Sequence, residues 1–435
     1  MRVVVMVVGL SLLVGCASRD RVSSVTMRSD ATMSGGANYS SDPTMPSGAT
    51  MSSGATSSSA STLPTTGATE PASLEQALAM LDCRPEWEQR GPILPARHPN
   101  ESLLKDWVIV LDPGHGGDAH LANYKRGPTG VREAEINFRV AVLLKRLLDD
   151  AGAIVTLTRD GDYDLGLDER AEVANRAKRP DGGTGADLFL SLHHNAAGPE
   201  ANYTSVWFHG PVDDAEVELD VARYLAFNLT RALRTKVAKT QPIMNDRQMY
   251  PGGFGVLRHA KVPAVLTESS FHSHPPEEQR LRDAIYNLRE AYAIYWALCE
   301  YARGGRPTVR SFLVTSSSLI MELDDGLFGG WGAELGRILP STINVRLNDK
   351  AVSFDYDGKT RMLTLSAAVR AGDVIEVRFA NLFKHHNYPQ RFRVTELADG
   401  LSVIPEVRPR RAVPATGPVH PVAPVGATQP ASRPR

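Results

Sequence analysis

Several side chains in the middle of this 435-residue sequence are suited to holding a metal and moving a proton. His115 stands in the turn Asp112-Pro113-Gly114-His115-Gly116-Gly117, and His193-His194 ends an apolar run. Glu133 and Glu135 open a helical stripe, and Glu268 follows Ala264-Val265-Leu266-Thr267. Two histidines and one carboxylate form a catalytic zinc set that leaves a fourth position for water. A remaining carboxylate is then available as general base. That combination suits hydrolysis of an unactivated amide, because zinc lowers the pKa of water and polarises the carbonyl while the acid relays the proton. Residue types alone leave choices open. Neighbours on an extended strand point to opposite faces, so only one of His193 and His194 enters the group. Glu133 and Glu135 also read as carboxylates favoured by a helix N-terminus, Glu268 as a buried acid paired with arginine, and His115 as polar filler of its turn.

The elements that must position these groups are legible. Trp107-Val108-Ile109-Val110-Leu111 reads as a buried strand that delivers His115, with glycines permitting a tight turn. Residues 133–150 carry a helical apolar stripe, 154–157 a second strand, and 167–178 a charged helix. Strands are expected at 187–192 and 205–208, a long amphipathic helix at 214–235, short strands at 254–257 and 264–266, and one last helix over 276–302. Strands alternating with helices predict an α/β fold, a mainly parallel sheet with helices on both faces. Ligands of such sheets bind beyond the carboxyl ends of the strands, where these histidines and glutamates fall. After Gly304-Gly305 the pattern becomes short β-branched runs, with Asp357-Gly358 as a hairpin signal, which predicts a smaller all-β, immunoglobulin-like sandwich.

The ends differ from this. Residues 1–15 hold one positive charge and an apolar run too short to span a bilayer, ending in Leu13-Val14-Gly15-Cys16. This resembles a bacterial lipoprotein signal, with Cys16 as the lipidated residue and Ala17 after it directing the protein to the outer membrane. The organisation expected is a signal peptide (1–15), a disordered Ser/Thr/Gly/Met-rich tether (16–73), a short helical lead-in (74–105), the α/β domain (106–304), the β-sandwich (305–402) and a Pro-rich tail (403–435). A net charge of −1 argues against nucleic acid as partner. Cys83 and Cys299 are two further thiols that an oxidising compartment could pair. His385-His386-Asn387 reads as a solvated loop, and Phe328-Gly329-Gly330-Trp331 as aromatics capping a local core.

Residues 107–302 resemble the zinc-dependent N-acetylmuramoyl-L-alanine amidases of the type-3 amidase family. The matching pieces occur in family order: Leu111-Asp112-Pro113-Gly114-His115-Gly116-Gly117, Gly130-Val131-Arg132-Glu133-Ala134-Glu135, Leu157-Thr158-Arg159-Asp160, Leu167-Asp168-Glu169-Arg170, Ser191-Leu192-His193-His194-Asn195-Ala196 and Pro263-Ala264-Val265-Leu266-Thr267-Glu268-Ser269-Ser270-Phe271. By motif position the resemblance implies zinc ligands at His115, Glu133 and His193 and a catalytic acid at Glu268. It implies peptidoglycan as substrate and a cell-envelope location, with membrane attachment through Cys16. The β region is expected to carry regulatory or wall-binding contacts. Ser270 and Thr267 depart from the family's usual Gly and Val. The short span between His193 and Glu268 leaves little room for an inhibitory helix.

Overall fold

The computed structural model describes residues 96–236, 242–315, 317–327, 337–398 and 400–406. The signal, Cys16, the tether, Cys83 and the Phe328–Trp331 loop lie outside them, as does most of the tail. None of the helices among the described residues is long and apolar enough to cross a membrane.

A six-stranded sheet organises the first region. Its strands are β1 (Val108–Pro113), β2 (Ile154–Leu157), β3 (Leu188–Asn195), β4 (Ser205–Phe208), β5 (Ile243–Asn245) and β6 (Ala264–Phe271). They lie in the order β2-β1-β3-β6-β4-β5. Every pairing is parallel except β4 with β6, so the sheet is mixed. Alternate residues of β1 separate cleanly: Ile109 and Leu111 face a core shared with α1 (Glu133–Asp150), α3 (Glu216–Leu233) and α6 (Ala284–Arg303). Val108 and Val110 face a smaller core with α2 (Leu167–Asn175) and α4 (Gly255–His259). A strand covered on both faces must be apolar throughout, as the unbroken burial of β1 requires.

Three expectations are corrected. Residues 254–257 form no strand: Phe254 is the cap of α4, and its apolar neighbours Val256 and Leu257 cover the second face. A four-residue apolar run fits either element. The last helix is two, α5 (Pro275–Leu281) and α6, because the Asp283 side chain accepts the Ile285 amide at 2.9 Å and starts a new helix. And β6 runs to Phe271, past the expected end at 266, so Glu268 lies within the strand rather than beyond it.

The second region is all-β. Strands β7 (Thr308–Val314), β8 (Leu319–Asp324), β9 (Asn344–Leu347), β10 (Lys350–Ala351), β11 (Asp355–Asp357), β12 (Met362–Leu365), β13 (Val374–Arg378), β14 (Arg391–Leu397) and β15 (Gly400–Pro405) form two sheets. Their orders are β10-β9-β13-β14-β15 and β11-β12-β8-β7. Leu319, Met321 and Leu363 of one sheet share a core with Ile375, Val377 and Phe392 of the other. β15 passes the expected start of the tail, and Glu406 beyond it pairs with Arg391 and Arg393.

His385-His386-Asn387 is not solvated. His385 is fully buried, with Nδ1 2.8 Å from the Gly305 carbonyl and Nε2 3.0 Å from the Tyr224 hydroxyl. His386 meets Asp220 of α3 through its amide (2.6 Å) and Nδ1 (3.0 Å). Arg378 adds pairs to Asp214 and Glu216, so the β region is fastened to the helical layer.

Candidate metal centre

Two buried arginines build the first ligand turn. Arg159 donates to the carbonyls of Pro113 (2.8 Å), Gly114 (3.1 Å) and Ala134 (2.7 Å). Arg170 reaches the carbonyls of Pro113 (3.0 Å) and His115 (2.9 Å) and the Asp112 carboxylate (2.9 Å). Asp112 also accepts from Thr158 and Ser191, each at 2.6 Å. The backbone at His115 is left-handed (φ 59°), a conformation worth holding only with such support. Gly114 is required by contact: a Cβ there would fall inside the His193 imidazole.

That turn brings His115 Nε2 to 3.2 Å from Glu133 Oε2, and His193 Nδ1 stands 3.0 Å from Glu133 Oε1. One ligand atom from each of His115, Glu133 and His193 lies within 4.8 Å of the others, a group able to hold a metal ion. Glu133 is 1% exposed, anchored by the His194 amide (3.2 Å), and its Oε2 accepts no hydrogen bond among the described residues. Burial opposes its ionisation, but His115 and His193 hold its carboxyl well below the usual range. Burial pushes the His193 imidazole down, towards the neutral form a metal needs. Glu135 lies outside the group, on the exposed face with Arg139 (2.7 Å). His194 faces away, between Asn137 (2.9 Å) and Glu290 (3.0 Å).

Glu268 sits opposite His193 in the β3–β6 pairing. Burial raises its carboxyl well above the usual range, the charge of Glu133 adds to this, and Lys125 opposes it. Its Oε2 is buried without a hydrogen-bond partner among the described residues. Two buried carboxyls pushed in opposite directions suit two roles, an ionised ligand and a proton acceptor. An orphaned oxygen on each, beside two imidazoles, fits a divalent cation and the water it activates.

Sequence reasoning gave no role to Arg159, Arg170 or Asp112, though all three stand in the matching motifs. It missed His272, whose Nδ1 meets the His194 carbonyl at 3.0 Å, and Lys125, whose Nζ is 3.8 Å from Glu133. Lys125 stands in an irregular loop with no periodicity to mark it. Ser270, at the family's Gly position, is fully buried and its hydroxyl has no partner among the described residues.

With this geometry, comparison with known proteins is direct. Residues 109–300 match the N-acetylmuramoyl-L-alanine amidase family model. The probable cell wall amidase LytH of Staphylococcus saprophyticus is 29% identical over 217 residues, 49% of this chain and 65% of that protein. The N-acetylmuramoyl-L-alanine amidase LytC of Bacillus subtilis is 29% identical over 196 residues, 45% of this chain and 36% of that protein. The catalytic domain of the amidase CwlV from Bacillus (Paenibacillus) polymyxa var. colistinus aligns at 26% identity and a TM-score of 0.37, covering 45% of this chain and 97% of that one. The chain thus spans between about a third and two thirds of the two curated relatives named. Over residues 109–300 the chain is similar to the N-acetylmuramoyl-L-alanine amidase family.

Proposed function

We propose that this protein is a zinc-dependent peptidoglycan hydrolase that cleaves the amide between N-acetylmuramic acid and the L-alanine of the stem peptide. The observation that carries the reading is the group of His115, buried Glu133 and His193, with Glu268 on the neighbouring strand. His115, Glu133 and His193 would hold zinc, which when bound polarises the scissile carbonyl and acidifies water. Glu268, kept basic by its surroundings, takes a proton from the attacking water and passes it to the departing amine nitrogen. Asp112, Arg159 and Arg170 keep the His115 turn in place by the bonds described above.

The envelope setting belongs to the same proposal: export on the 1–15 signal, lipidation of Cys16, a tether over 16–73 and a place on the periplasmic face of the outer membrane. Such a tethered enzyme serves wall turnover or daughter-cell separation. The β region, read as an immunoglobulin-like sandwich, would supply regulatory or wall-binding contacts. Cys299 is a buried free thiol among the described residues, and its pairing with Cys83 falls outside them.

The test is digestion of purified sacculi with and without chelator, followed by mass analysis. Release of intact stem peptides beginning with L-alanine, abolished by chelator and restored by zinc, is the expected result. Peptides cut internally would replace this reading with a zinc peptidase, and no release would replace it with an inactive wall-binding lipoprotein.

A further inference from the structure

We propose that Tyr124 is the platform on which the N-acetylmuramic acid ring rests while its amide is cut, so that this site selects the sugar as well as the peptide. It rests on the amide-hydrolase reading above. Tyr124 is 48% exposed beside the candidate metal centre, and its ring stands 6.4 Å from that of His115, edge to face. It belongs to neither core of the α/β region. A lone exposed aromatic needs no explanation on a protein surface, but this one is held in place. The carbonyl of its neighbour Lys125 accepts the Glu133 amide at 2.9 Å. Arg126, next along, donates to the carbonyls of Ala119 (3.0 Å), Leu121 (3.2 Å) and Gly130 (3.1 Å). The segment carrying Tyr124 is thereby closed on itself and fixed to the first residue of α1. A ring held this way loses little freedom on binding, which favours its use as a contact surface.

Strand order decides which half of the substrate Tyr124 meets. β3 lies between β1 and β6. His115 follows β1 on one side of it, and Glu268 stands on β6 on the other, opposite His193. The two outer strands are about two strand spacings apart, roughly 10 Å. Glu268 passes its proton to the departing nitrogen, so the peptide half leaves over β6. The acyl half then extends over β1, where Tyr124 adjoins His115. That half carries the sugar. Three bonds join the scissile carbonyl carbon to the pyranose ring, roughly 4 Å at ordinary bond lengths. A sugar so close to the reacting carbon reaches an aromatic ring 6.4 Å from that of a metal ligand. One face of a pyranose is a set of C–H bonds, which the electron-rich face of an aromatic ring covers while the hydroxyls stay in water. The same ring offers the acidic stem peptide no ion pair.

The test uses two soluble substrates with the same scissile amide: a disaccharide muropeptide, N-acetylglucosaminyl-N-acetylmuramoyl-tripeptide, and the O-methyl-D-lactoyl tripeptide, which lacks the sugars. Full-length wild-type protein is compared with Tyr124→Ala, Tyr124→Phe and, as a control, Tyr250→Ala, an exposed tyrosine beyond the edge strand β5. Tyr124→Ala is expected to raise KM for the muropeptide about tenfold with kcat held, and to leave the sugar-free substrate unchanged. Tyr124→Phe and Tyr250→Ala should match the wild type on both. Binding of the free disaccharide, measured by calorimetry on Glu268→Gln protein with and without Tyr124→Ala, should weaken by the same factor. Equal losses on both substrates, or no loss on either, overturn the proposal. So does a fall in zinc content in Tyr124→Ala, which would make the ring a support for His115. If the wild-type protein cleaves neither substrate, the hydrolase reading falls instead. The disaccharide titration then still decides the platform, and absent or unchanged binding overturns it.

Discussion

Two clusters in this molecule combine histidines with buried acids, and they end in different states. At the fastening of the β region, His385 accepts from the Tyr224 hydroxyl and donates to the Gly305 carbonyl, and His386 rests on Asp220. Every imidazole nitrogen of His385 has a fixed protein partner. At the sheet rim, His115 and His193 converge on one carboxylate, and both Glu133 and Glu268 keep an oxygen without a hydrogen bond among the described residues. Residue type does not separate the two clusters. What separates them is whether the buried polar atoms are satisfied, since an unmet buried polar atom is costly unless a ligand completes it.

The sharpest break is Glu268→Gln. Loss of a general base should cut sacculus hydrolysis by about 10²–10⁴-fold. Zinc content should stay at the wild-type level, and a variant that hydrolyses normally removes Glu268 from the chemistry. Next comes Gly114→Ala, which must displace the His193 ring. Metal loss and a fall in activity of about 100-fold or more are expected, with the melting transition of the β region retained. His385→Ala should do the reverse: it leaves Tyr224 and Gly305 unpaired, costs about 1–3 kcal/mol in denaturant unfolding, and keeps the metal.

Acidity sharpens the contrast within the fastening itself. Burial lowers the His385 imidazole to about 4, below its unfolded value near 6.5. The unfolded chain therefore binds the extra proton between those values, and stability present above pH 6.5 is lost as pH falls towards 4. His98, also lowered by burial to about 4, acts in the same direction. His386 has the opposite sign: burial opposes its charge, but Asp220 raises it overall. Its contribution is full below pH 6.5 and is lost as pH rises through the raised value. Melting temperature against pH should therefore peak between these limits. His386→Gln should flatten the alkaline side alone, and a flattened acidic side in that variant would contradict the assignment. The smallest effect is that of Glu135→Ala, which removes one exposed pair with Arg139: about 0.3–0.5 kcal/mol of stability, with zinc and activity unchanged.

The rim of the sheet was readable because its chemistry coincides with strong local signals. The apolar run before His115 and the helical stripe after Glu133 locate both residues without tertiary knowledge. The choice of Glu133 over Glu135, and of His193 over His194, came from motif resemblance, since periodicity leaves each pair ambiguous. The structure gives the physical reason: Glu135 and His194 are claimed by Arg139 and Glu290. The fastening was illegible because its partners are distant in sequence: His386 meets Asp220, 166 positions away. The break between α5 and α6 was hidden in a continuous helical pattern, where only Asp283 as a cap marked it. The placing of Tyr124 and Lys125 depends on loop geometry, which sequence spacing does not encode.

The most direct measurement is metal content by elemental analysis of the purified wild-type protein, Glu268→Gln and His193→Ala, each dialysed against the same zinc buffer. About one zinc per chain in the first two and less than about a tenth of that in His193→Ala is the predicted result. Stoichiometric zinc in His193→Ala, with its fold intact, would contradict the central claim that His115, Glu133 and His193 together hold the ion.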